Sequence, residues 1–117
     1  MDYSIEYFIE KFSTIPEEKW TVKQLEDSET GAHCALGHCG VTQKAFGNPY
    51  NYTEEGTALE KIFQTVPSIW NTGSYVPSTN DNGYGMGIGC TKTLPKERIL
   101  ITLLKAQEIR DAKNLAH

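Results

Sequence analysis

The chain reads as a single compact α+β domain, three to four helices packed on a small antiparallel sheet or hairpin, spanning residues 1–117. Three observations lead there. Apolar residues recur at helical spacing in three separate stretches, a β-favouring stretch lies near residues 19–25, and a glycine-rich, hairpin-like stretch runs from 83 to 89. A chain of 117 residues falls within the usual size of one domain, so a single core is expected.

The elements follow in chain order. Ile5, Phe8, Ile9 and Phe12 predict an amphipathic helix over about residues 3 to 13, closed by Pro16. Trp20, Thr21, Val22 and Leu25 predict a strand, and Asp27 to Gly31 a turn. Residues 32 to 46 read as a tightly packed helix. Gly37 and Gly40 each weaken it by about 1 kcal/mol relative to alanine, so a neighbour must press closely against it. Thr53 is placed to cap the next helix, with Glu54 and Glu55 in its first turn and Ala58, Leu59, Ile62, Phe63 and Val66 on its apolar face, ending at Pro67. Residues 68 to 82 suit a short strand feeding a loop, with Asn80-Asp81-Asn82 as a turn. The last helix opens with Thr93 and Pro95 and carries Ile99, Leu100, Leu103, Leu104 and Ala106 along one stripe.

Charge narrows the partners. The net charge of −4 argues against a nucleic-acid backbone. Acidic residues nevertheless concentrate early: residues 1 to 91 hold twelve Asp/Glu against five Lys/Arg, and residues 92 to 117 hold three against six. That basic end leaves room for a local anionic ligand. No apolar run approaches a membrane span, and the N-terminus lacks the basic start and small-residue cleavage site of an export signal, so no membrane partner is expected. Three cysteines, Cys34, Cys39 and Cys90, supply no disulfide framework, and a cytoplasmic location fits best.

Three short motifs carry a resemblance: Cys34-Ala35-Leu36-Gly37-His38, then Val76-Pro77 with Asn80-Asp81, then Pro95-Lys96-Glu97-Arg98-Ile99-Leu100. Together they resemble a group of small uncharacterised bacterial and phage domains over most of residues 20 to 105. The resemblance implies a stand-alone domain of phage origin and supplies no catalytic residue. Where that group is polar and proline-rich between the Asn-Asp pair and the Pro-Lys segment, this chain is glycine-rich.

Two chemistries compete for the function. A non-enzymatic module that binds or sequesters a small anionic, nucleotide-like ligand, such as a defence signal, would use Asn80, Asp81 and Tyr84 for polar edges and stacking. Lys96 and Arg98 would then neutralise phosphate, with no cofactor and with a homo-oligomer expected. The alternative is a cysteine hydrolase or transferase with Cys34 or Cys39 as nucleophile and His38 as base. A third reading is an inhibitor of a host protein that uses the acidic surface. His33, Cys34, His38 and Cys39 hold the donor types of a zinc site but only one cluster of them, so no metal is expected. The glycines at 83, 85, 87 and 89 match neither the Walker A nor the Rossmann spacing.

Overall fold

A computed structural model describes residues 3–22, 25–42, 51–66 and 94–115, together with Val76 and Asn80. Helix α1 spans Ile5–Thr14. The Ser4 hydroxyl caps it by accepting from the Tyr7 N–H at 3.1 Å. It stops where Ile15, forced out of the helical region by the following proline, turns extended at φ −87°, ψ 119°. A single 3₁₀ turn, Glu17–Lys19, leads to Trp20. Helix α2 is one turn, Ala35–His38, α3 spans Glu54–Phe63, and α4 spans Pro95–Leu115.

The expected α+β class is overturned. Among the described residues the fold is helical, with no strand or sheet and only isolated bridges, Trp20 with His33, Glu26 with His33, and Thr42 with Asn51. The physical reason lies at His33. Its N–H donates to the Lys19 carbonyl at 2.9 Å and its carbonyl accepts from the Thr21 N–H at 3.0 Å, while the adjoining Cys34 N–H turns to Leu25 at 3.2 Å. One residue is shared between two neighbours, and no ladder extends in either direction. The strand expected within 68–82 and the glycine stretch at 83–89 lie outside the described residues, apart from Val76 and Asn80, which are both helical.

The long helix expected over 32–46 is also corrected, to Ala35–His38 within the described part. Gly40 takes a φ of +83°, and the Gly40 and Val41 N–H groups fold back onto the Gly37 and Leu36 carbonyls at 3.0 and 3.1 Å. This is the left-handed glycine stop that satisfies the last carbonyls of a helix. The neighbour pressing on the segment is the Leu25 carbonyl, which would sit 2.2 Å from a Cβ added at Gly37.

The core lies where α4 packs against α1 and α3. Ile99, Thr102, Leu103 and Ala106 on α4 meet Ile5, Phe8 and Phe12 on α1 and Leu59 and Phe63 on α3, all buried. Each fully buried phenylalanine or leucine contributes about 1.5–3 kcal/mol. An aromatic chain runs outward from this core, Phe8 to Phe12 (5.8 Å between centroids), Phe12 to Trp20 (5.3 Å) and Trp20 to His38 (4.8 Å). Lys11 and Tyr7 on α1 both bond Glu55 on α3, and Arg110 on α4 pairs with Glu6 on α1. Among the described residues no helix is long and apolar enough to cross a membrane.

Candidate functional site

The ligand residues expected from sequence divide sharply by burial. Asn80 is 0% exposed and Arg98 3%. The Asn80 side chain accepts from the Ala35 N–H at 3.0 Å and donates to the Thr21 carbonyl at 2.9 Å. Its own carbonyl accepts from Arg98 Nη2 at 2.5 Å. Both residues are thus brought together, but they face inward and tie α4 to α2 and to the Trp20 segment. A buried guanidinium needs such acceptors, since burying it unsatisfied would cost several kcal/mol. Lys96 donates to the Ser13 carbonyl at 3.1 Å, at the far end of α1. Asp81 and Tyr84 lie outside the described residues.

The thiol and imidazole groups gather around α2. Cys34 caps the helix at 7% exposure, His38 ends it, and Cys39 follows at 3%. Burial, reinforced by the Glu55 carboxylate, pushes the Cys39 thiol well above its ordinary range. Burial and the neighbouring His33 push the His38 imidazole down to about 4. These shifts oppose the proton transfer that a thiolate–imidazolium pair requires, because each disfavours the charged form of its group. His38 Nε2 is inaccessible to solvent and has no hydrogen-bond partner. Among the described residues no cluster of three or more His, Cys, Asp or Glu side chains could hold a metal.

On the solvent side of α2 an open cleft of about 450 Å³ lies between Leu25-Glu26 and the run from Gly37 to Thr42. His33 forms part of its wall, its Nε2 3.0 Å from the Glu26 carboxylate, with side-chain exposures of 33% and 61%. Its volume lies in the range of small-molecule sites. Glu26 carried no signal as a partner for His33 in the sequence: the pairing arises because the turn at Asp27–Gly31 reverses the chain. Asp27 sets that turn by accepting from the Glu29 N–H at 2.9 Å, and the Gly31 N–H returns to the Asp27 carbonyl at 2.7 Å. Compared with protein-family profiles, curated proteins and solved structures, the chain finds no significant match.

Proposed function

We propose that this chain is a non-enzymatic module that binds a small anionic, nucleotide-like ligand, and that the cleft beside α2 receives it. The observation supporting the reading is the cleft itself: a cavity of about 450 Å³ that sets an imidazole–carboxylate pair beside Gly37, Gly40 and the Thr42 side chain. The His33 ring offers a plane for stacking and, when protonated, a positive charge for phosphate. Glu26 accepts from ribose hydroxyls. Asn80 and Arg98 then serve as the rigid frame that holds α2 against the Trp20 segment, rather than as ligand contacts. Asp81 and Tyr84 remain the proposed further contacts.

The cysteine-enzyme alternative draws no support from a thiol and an imidazole both biased toward neutrality. Native mass spectrometry of the purified full chain, followed by thermal melting against a panel of mono-, di- and cyclic nucleotides, tests the proposal. A retained nucleotide mass, and a melting increase that His33→Ala abolishes, is the expected result. A ligand at a hundred times its dissociation constant stabilises by about 2.7 kcal/mol, well within reach of that assay. A panel with no member that binds at millimolar concentration overturns the reading. The same spectrum reports subunit number, for which a homo-oligomer is expected.

A further inference from the structure

His38 occupies a position where burial disfavours its charged form. Its ring stands edge-on to Trp20, centroids 4.8 Å apart, and 5.4 Å from the ring of His33. Its Nε2 is buried without an acceptor. His33 is also the residue whose backbone pins the chain on both sides of Trp20, through the Lys19 carbonyl and the Thr21 N–H. We propose that protonation of His38 is an acid-operated latch: it releases the Lys19–Thr21 segment from His33 and opens the wall of the α2 cleft. Release of the cleft's ligand is the consequence that rests on the function proposed above.

The groups facing the ring set the direction. His33 and Lys11, on α1, both repel a second positive charge there, whereas the carbonyls of Lys19 and His33 favour it. Glu26 is occupied by His33 at 3.0 Å, and Glu55 is engaged by Lys11 and Tyr7. The indole of Trp20 attracts a cation through its π face. Burial is the largest influence and holds the group at about 4. A solvated histidine takes its proton near pH 6.5, so acid favours whichever conformation lets water reach the ring.

The test uses the ligand-free full chain, so its failure leaves the binding assay untouched. With Trp70→Phe in place, Trp20 alone reports by fluorescence, while amide exchange is followed at Thr21, His33 and Leu103 as pH falls. The expected result is a red shift of Trp20 emission and loss of protection at Thr21 and His33 between about pH 6.5 and 4, with Leu103 still protected. His38→Gln moves that transition down by about one pH unit or more. Simultaneous loss at all three amides, or an unchanged transition in His38→Gln, overturns the latch. Should the variant fail to fold, the unmutated His38 ring followed by NMR decides: a titration near 6.5 with no change at Trp20 refutes it, and one coupled to the Trp20 shift upholds it.

Discussion

Replacing Gly37 by alanine sets two effects of opposite sign against each other. Alanine favours a helical residue by about 1 kcal/mol over glycine, so propensity alone expects a gain. The added Cβ, however, would lie 2.2 Å from the Leu25 carbonyl oxygen and 3.1 Å from His33 Cβ. Ordinary contact requires the Leu25 backbone to retreat by about 1 Å, and a gap of that size forfeits about a quarter to a half of the attraction at each contact it opens. That retreat strains the Cys34 N–H bond to Leu25 at 3.2 Å and the neighbouring Asp27 N–H bond to Ala32 at 2.8 Å. Overpacking costs about 1–3 kcal/mol and each weakened hydrogen bond about 0.5–1.5 kcal/mol. The balance is a destabilisation of about 1–5 kcal/mol, read as a lower urea midpoint at constant slope. Gly40→Ala is the control, since the nearest atom there is Thr53 Cγ2 at 3.4 Å and the φ of +83° alone sets its cost, about 1 kcal/mol. A Gly37→Ala protein as stable as the parent would show that Leu25 does not bear on α2 as described.

Three further outcomes follow from the same geometry. Because the folded His38 holds its proton only below about 4 while the unfolded chain takes it up near 6.5, the unfolded state binds it first as pH falls. Stability of the closed form should therefore decline as pH falls from 6.5 toward 4, by less than the full linkage value because the ring is partly exposed to solvent, and His38→Gln should flatten that decline in urea titrations. Asn80→Ala removes the acceptor of the Ala35 N–H and a donor to the Thr21 carbonyl, and should cost about 2–4 kcal/mol by thermal melting; a loss under 1 kcal/mol would deny Asn80 its bridging role. In a Cys90→Ser background, iodoacetamide should label buried Cys34 and Cys39 only as fast as the protein opens, whereas rapid modification near neutral pH would restore the thiol-enzyme reading.

The helices that pack the core were legible because their signals are local. Ile5, Phe8 and Phe12 recur on one face whatever surrounds them, and the Thr53 hydroxyl finds the Gly56 N–H three residues on, at 3.0 Å. The Trp20 segment was misread because Thr21 and Val22 favour extended backbone, and extended backbone does not by itself supply a ladder. Among the described residues only His33 pairs there. Within the described part, the helix read from residue 32 onward stops at His38, because a glycine's propensity is readable from sequence whereas its positive φ is set by what surrounds it. Asn80 and Arg98 show the same limit in the candidate site. A polar side chain offers identical atoms whether it awaits a ligand or satisfies a buried amide, and the amide in question lies 45 residues away at Ala35. The His33–Glu26 pair was hidden for the same reason, since neither residue carries a mark of the turn that joins them.

The bonds made by Asn80 join positions separated by 45, 59 and 18 residues. Such closures reward the chain only after most of their loop entropy has been spent, so the amino-terminal helices emerging from a ribosome would find their partners late. Synthesis must carry the chain past Arg98 before the Trp20 region is secured, and the exposed interval before that point is when a chaperone or a protease would meet it.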